Sequence, residues 1–152
     1  MGKSNVFQVS VGLIKNNYNS MSYIAPILKL AKENENFRIV LYTGAKSQLV
    51  LMNIPVGGDI GEEVHHHVEQ TIVLVEGEAL SVLDGVKREV YAGDIAVVPP
   101  GTMHNFINNG TVPLKIYTVY APVNHIDGRI HKTKADAEAD IEDEAFGEKV
   151  AE

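Results

Sequence analysis

The sequence predicts a single all-β domain, built as a sandwich or barrel of short strands. Three observations lead to this fold class. Short apolar runs recur at regular spacing between positions 37 and 123, turn-forming residues divide them, and no helical pattern intervenes. Many short strands separated by turns, with no helices between them, are typical of all-β sandwiches and barrels. At 152 residues the chain is long enough to bury the core of one such domain.

The candidate strands are runs rich in β-branched and other apolar residues. In chain order they are F-R-I-V-L-Y-T (37–43), Q-L-V-L-M-N-I (48–54), E-V-H (63–65), T-I-V-L-V-E (71–76), A-L-S-V-L (79–83), K-R-E-V-Y (87–91), I-A-V-V-P (95–99), H-N-F-I-N (104–108) and L-K-I-Y-T-V-Y (114–120). Asp84 and Gly85 lie between two of these runs. They predict a tight hairpin, because a primed two-residue turn requires positive φ.

Both ends of the chain differ from this β-rich middle. Residues 1–36 form an N-terminal extension and docking segment, in which Ile27, Leu28 and Leu30 predict a short strand or a turn of helix against the domain. Met21 offers a second plausible start, so residues 1–20 are a candidate extension outside the domain, and whether they belong to it stays open. The domain itself is expected over residues 37–125.

Residues 126–152 are expected to form an acidic C-terminal tail. From Lys134 onward the sequence is rich in alanine, aspartate and glutamate, which is typical of either a solvated helix or a disordered segment without chemistry. His125 and His131 lie beyond the predicted strands and are expected at the surface or at an interface.

Composition excludes several classes of function. A formal net charge of -7 argues against a nucleic-acid partner, because binding to phosphates needs clustered lysine and arginine. The absence of cysteine excludes disulfides, thiolate zinc sites and cysteine nucleophiles. No apolar run approaches membrane-spanning length and no secretory signal is evident, so we expect a cytoplasmic protein that has no membrane partner.

Two spaced motifs carry the functional signal. Gly93, Pro99, Gly101, His104 and Asn108 are spaced as G-x5-P-x-G-x2-H-x3-N. This spacing resembles the second signature motif of the cupin superfamily, in which the histidine is a metal ligand inside a small barrel. The resemblance implies a double-stranded β-helix, or jelly-roll barrel, over residues 37–125, in agreement with the strand pattern.

Residues 57–77 resemble the first cupin motif, G-x5-H-x-H-x4-E-x6-G, with two substitutions at ligand positions. Glu63 replaces the first histidine, His65 is the second, and Gln70 replaces the glutamate. The resemblance therefore implies a site for a divalent ion formed by Glu63, His65, Gln70 and His104. Two imidazoles and a carboxylate suit zinc, iron, manganese, nickel or cobalt.

The strand pattern is compatible with this ligand set. Side chains alternate across a strand, so Glu63 and His65 point to the same face, while Gln70 and His104 arrive from other strands. Two alternatives stay open. His65 and His67 also form H-x-H, with His66 and His67 otherwise exposed turn residues at the end of the strand. Glu63 and Gln70 would also form a hydrogen-bonded pair without any ion.

The sequence is also similar to small cupins often labelled mannose-6-phosphate isomerase-like. The resemblance implies a metal-binding protein that acts on or binds a small molecule. The alternatives are a sugar-phosphate isomerase, an Fe(II) dioxygenase and a non-catalytic ligand-binding cupin, so whether the protein is an enzyme stays open. Small cupins commonly form homodimers, and edge strands need covering, so we expect a homodimer.

Overall fold

The structure is a computed structural model that describes residues 21–150. Its strands are β1 (Arg38–Thr43), β2 (Gln48–Ile54), β3 (Glu69–Glu76), β4 (Glu78–Leu83), β5 (Val86–Tyr91), β6 (Ile95–Val98), β7 (His104–Ile107), β8 (Leu114–Ala121) and β9 (Ile130–His131). The helices are α1 (Ile27–Glu33), α2 (Lys134–Ala139) and α3 (Ile141–Val150). The predicted residues 1–20 extension lies outside the described part of the chain.

Two antiparallel sheets pack face to face. The larger has the strand order β6-β3-β8-β2-β1-β9, and the smaller has the order β5-β4-β7. Ile72 and Leu74 of β3, Phe106 of β7 and Ile116 of β8 are nearly inaccessible to solvent and belong to one core cluster between the sheets. This arrangement confirms the predicted all-β fold with its N-terminal segment and its C-terminal extension.

Eight of the nine candidate runs coincide with strands. The run E-V-H at 63–65 was expected to be a strand, and this prediction is wrong, because it makes only an isolated bridge between Glu63 and His104. Strand β9, which pairs with β1, was not predicted. The hairpin at Asp84 and Gly85 is confirmed, with φ of 47° and 80° at the two residues.

The N-terminal segment is helical. Helix α1 packs Leu30 and Ala31 against Ile39, Leu41 and Leu51 on the outer face of the larger sheet. These strand residues alternate with inward-facing ones, so β1 and β2 are buried on both faces, and their nearly continuous apolar sequence reflects this.

The acidic C-terminal segment is folded onto the domain. Thr133 begins α2 with a reciprocal capping box to Asp136. In α3, Asp143 is only 4% exposed, and Gly147 approaches the Asn124 backbone so closely that a Cβ would lie 2.9 Å from its carbonyl oxygen. Of the two forms expected for this segment, the helical one is therefore present, but it is anchored on the domain.

The surface position expected for His125 and His131 is wrong. Both are buried, at 6% and 3% exposure. His125 Nδ1 lies 2.8 Å from Asp143 Oδ2, and His131 Nε2 lies 2.8 Å from Asp140 Oδ2. Acidic side chains of the C-terminal segment thus supply the hydrogen-bond partners that allow these imidazoles to be buried. Within residues 21–150, no helix is both long and apolar enough to cross a membrane.

Candidate metal centre

The segment before β3 is held against β7 by backbone hydrogen bonds. The amide of Glu63 donates to the carbonyl of His104 over 2.9 Å, and the amide of His104 donates back to Glu63 over the same distance. Ile60 makes a further bond of this kind to Phe106. The two motifs, some forty residues apart in the sequence, therefore lie side by side.

The turn that precedes β7 fixes the position of His65. Pro99, Pro100 and Gly101 form this turn, and Gly101 adopts a φ of 83° that favours glycine. Its amide donates to the carbonyl of His65 over 2.8 Å. The proline and glycine positions of the second motif thus position a residue of the first.

The structure brings all four candidate ligands together. Ligand atoms of Glu63, His65 and His104 all lie within 4.8 Å of one another. Glu63 Oε2 lies 3.2 Å from His65 Nε2 and 3.9 Å from His104 Nε2. Gln70 Oε1 lies 3.0 Å from His104 Nε2. His104 and Gln70 are each 1% exposed, whereas Glu63 and His65 face a cavity.

Hydrogen bonds fix the orientation of the Gln70 amide and the tautomer of His104. The Thr118 hydroxyl donates to the carbonyl of Thr71 over 2.8 Å, so it accepts from Gln70 Nε2 over 3.1 Å. This leaves Gln70 Oε1 directed at His104. His104 Nδ1 donates to the carbonyl of Thr102 over 2.9 Å, which leaves Nε2 without a proton in the neutral ring. Two acceptor atoms therefore face each other.

Burial keeps His104 neutral. Burial lowers the pKa of His104 below its ordinary value, against the opposing effects of the Thr102 carbonyl and the Glu63 charge. For Glu63, burial acts to raise the pKa, but the hydrogen bond from His65 and the positive charge of Arg38 together lower it. The site therefore offers an ionised carboxylate and a neutral imidazole, the forms that metal ions bind.

The separations of these atoms fit one ion. Zinc lies about 2.0–2.2 Å from nitrogen and oxygen ligands in a tetrahedral arrangement, so its ligand atoms are about 3.3–3.6 Å apart. The distances of 3.0, 3.2 and 3.9 Å lie within about 0.3 Å of this range. A cation would also relieve the contact between the two facing acceptors of His104 and Gln70.

His66 and His67 are exposed and line the mouth of the cavity. This agrees with the expectation that they are exposed turn residues. The rival H-x-H assignment required His67 to be a ligand, but the clustered ligand atoms are those of Glu63, His65 and His104.

A cavity of about 690 Å³ lies above the candidate ligands, a size that suits a small molecule. Its walls come from the segment 60–67, from the start of β1 and from the C-terminal helices. Many of the residues that line the cavity lie outside the two motifs and were not identified from the sequence. They include Phe37, Arg38, Asn124, His125, Lys134, Ala137, Glu138, Asp143, Glu144, Gly147 and Glu148. The C-terminal segment therefore covers the candidate site.

A chain of aromatic rings connects the candidate ligands with α3. The ring of His65 lies edge-on to that of Tyr120, with centroids 6.0 Å apart, and Tyr120 lies edge-on to His125 at 5.0 Å. His125 is in turn hydrogen-bonded to Asp143. Burial raises the pKa of Tyr120 far above its ordinary value, so its hydroxyl stays protonated.

Comparison with known proteins identifies the family. A family model of the cupin domain matches residues 50–120, which include all four candidate ligands. The chain belongs to the cupin family. This cupin is 40% identical over 133 residues to the uncharacterized protein YrkC of Bacillus subtilis, an alignment that covers 84% of this chain and 72% of YrkC.

Two further comparisons support a small cupin. The uncharacterized protein MJ1618 of Methanocaldococcus jannaschii is 38% identical over 91 residues, which cover 59% of this chain and 73% of that protein. The crystal structure of BH2720 from Bacillus halodurans matches with a TM-score of 0.77 and 38% identity, over 78% of this chain and 95% of that one. These relatives support the fold and leave the activity to be argued from the site.

Proposed function

We propose that this cupin binds one divalent transition-metal ion through Glu63, His65, His104 and Gln70, and that a small molecule binds in the cavity above the ion. The observation that carries the proposal is the pair of acceptors, His104 Nε2 and Gln70 Oε1, facing each other at 3.0 Å. Lone pairs in such an arrangement require a proton or a cation between them, and burial opposes protonation of His104.

The donor set suits zinc, iron, manganese, nickel or cobalt. Such an ion, when bound, supplies Lewis-acid chemistry that polarises a carbonyl group or lowers the pKa of water. The residues around it act in defined ways. Glu63 supplies the one negative charge of the ligand set, and Gln70 adds a neutral oxygen held in place by Thr118. The C-terminal helices form part of the cavity wall.

The positions of the acidic side chains bear on which group can act as a base in a reaction at this site. Glu63 is the acidic side chain that faces both the imidazoles and the cavity, whereas Glu69 is exposed on β3 and does not line the cavity. With Glu63 bound to the ion, a reaction that needs a base would use another side chain of the cavity wall, such as His125 or Asp143, or a group of the bound ligand. The identity of the native metal would direct the assays: iron toward oxygen consumption and zinc toward isomerisation of sugar phosphates.

Calorimetric titration of zinc or cobalt into metal-free, untagged protein tests the proposal. We expect one ion per chain, and an affinity at least about tenfold lower in His104→Ala. His66→Ala is the matched control, because it removes an exposed imidazole from the same region without removing a proposed ligand. Equal losses of affinity in both variants, or no binding to the unaltered protein, would overturn the proposal. Circular dichroism checks that each variant is folded.

A further inference from the structure

Arg38 is a buried cation on the wall of the cavity. It is 8% exposed and lies at the start of β1, on the side of the strand that faces the interior with Val40. Its guanidinium lies 5.6 Å from the centre of the Phe37 ring. Arginine is rarely buried without partners, because its five N–H donors lose hydration when the side chain leaves water.

The hydrogen bonds expected of such a side chain are incomplete. Among the described residues, none accepts a hydrogen bond from the buried Arg38 Nε. The nearest ionic contact runs from Nη2 to Glu63 Oε1 at 3.8 Å, which is longer than a hydrogen bond. A buried donor without an acceptor, on the wall of a cavity, indicates that a ligand group completes its hydrogen bonding.

Metal binding at Glu63 would leave Arg38 with still less compensation of its charge. The Glu63 carboxylate would then balance the charge of the ion and no longer that of Arg38. A divalent ion and Arg38 together carry three positive charges, one more than the negative charges of Glu63 and Asp143, the two carboxylates whose pKa values the charge of Arg38 lowers. The other cation on the wall, Lys134, is already paired with Asp59 and Glu138. One monoanionic group would restore neutrality.

We propose that Arg38 binds the carboxylate group of the small molecule that occupies the cavity beside the ion. This inference rests on the proposed function, whose ligand class it specifies. A planar carboxylate matches the fork of the guanidinium and accepts two parallel hydrogen bonds. A phosphate dianion fits less well, because exposed glutamates surround the mouth, among them Glu62, Glu138, Glu144 and Glu148.

The test uses zinc-loaded, nitrogen-15-labelled protein and two probes of nearly equal shape, lactate and its neutral amide lactamide. We expect lactate to shift the Nε–H signal of Arg38, which is assigned by its absence in Arg38→Met. Lactate should bind Arg38→Met about tenfold or more weakly than the unaltered protein, and Arg38→Lys with intermediate affinity. Lactamide should bind more weakly and should not distinguish the variants.

Arg88→Met is the matched control, because Arg88 is exposed on β5, away from the cavity, and the charge change is the same. Unchanged lactate affinity in Arg38→Met at full zinc content would overturn the inference, as would equal binding of lactamide. Tighter binding of inorganic phosphate than of lactate would overturn the carboxylate assignment. Zinc content, measured separately, reports the proposed function. If zinc does not bind, the same lactate titration of metal-free protein still decides the role of Arg38.

Discussion

His104 Nε2 lies 3.0 Å from Gln70 Oε1, with an unshared electron pair on each atom directed at the other. Neighbouring groups impose this arrangement. His104 Nδ1 donates a hydrogen bond to the Thr102 carbonyl, and Gln70 Nε2 donates one to the Thr118 hydroxyl. The pair is thus prepared for a cation before any cation arrives, which reduces the reorganisation that binding requires.

Substitution of Gln70 should change metal affinity in a direction set by charge. Gln70→Glu adds a second carboxylate to the ligand set and should raise the affinity for zinc, whereas Gln70→Leu removes a donor and should lower it by about tenfold or more. Calorimetric titration measures both. Equal affinities in the two variants would contradict a role for Gln70 as a ligand.

Thr118 should act on the metal through the orientation of Gln70. In Thr118→Val the amide loses its acceptor, so it can rotate by half a turn and donate from Nε2 to His104. We expect a loss of zinc affinity smaller than that of Gln70→Leu, with the fold retained. Thr118→Ser, which keeps the hydroxyl, is the control and should restore the affinity. If the Thr118→Val and Thr118→Ser variants bind zinc with equal affinity, the hydroxyl does not orient the Gln70 amide.

Acidification should destabilise the metal-free protein through the contact between α3 and the domain. Burial lowers the pKa of His125 below 6.5. Burial acts to raise the pKa of Asp143, but the hydrogen bond and charge of His125, the Ile126 amide and the charge of Arg38 together lower it below 3.8. In both cases the unfolded chain binds protons at a higher pH than the folded chain. The stability that His125 contributes is therefore complete above about pH 6.5 and falls below it, and that of Asp143 is lost at lower pH.

Urea unfolding at pH 7.5 and pH 5.5 measures this effect. We expect a lower free energy of unfolding at pH 5.5, and a smaller difference between the two pH values in His125→Gln. His104 contributes in the same direction and remains in the variant, so part of the difference should persist. An unaltered pH dependence in His125→Gln would exclude this role of the buried imidazole.

We propose that the expected homodimer forms through the larger sheet. Ile95 and Val97 of edge strand β6 are 64% and 52% exposed, and they project from the face opposite the core, since Ala96 and Val98 alternate with them. Replacement of both by lysine should halve the mass measured by light scattering in solution. Lysine at exposed Val86 of β5 is the control. A mass that neither replacement changes would exclude this surface.

The strands and the ligand cluster could be predicted from the sequence because both depend on the spacing of residues that are close together in the chain. Alternating apolar runs set the strands, and the proline and glycine of the second motif set the turn that holds His65. The expectation for E-V-H was wrong since a single bridge to β7 replaces a regular ladder there. Gln70 was identified only through its place in the motif.

The burial of His125 and His131 could not be read from the sequence. Their partners, Asp143 and Asp140, lie in an acidic segment whose composition equally fits a solvated helix, and the pairing depends on how that segment folds back. Arg38 gave a weak signal, as a charged residue inside the apolar run F-R-I-V-L. Alternation along β1 turns it inward, toward residues that are distant in the chain.

X-ray absorption of the zinc-loaded protein tests the proposed ligand set most directly. The account predicts a first shell of nitrogen and oxygen only, two imidazoles in the outer-shell scattering, and one imidazole in His104→Ala. His66→Ala should retain both. A spectrum with no imidazole contribution, or one that His104→Ala leaves unchanged, would contradict a metal centre formed by Glu63, His65, Gln70 and His104.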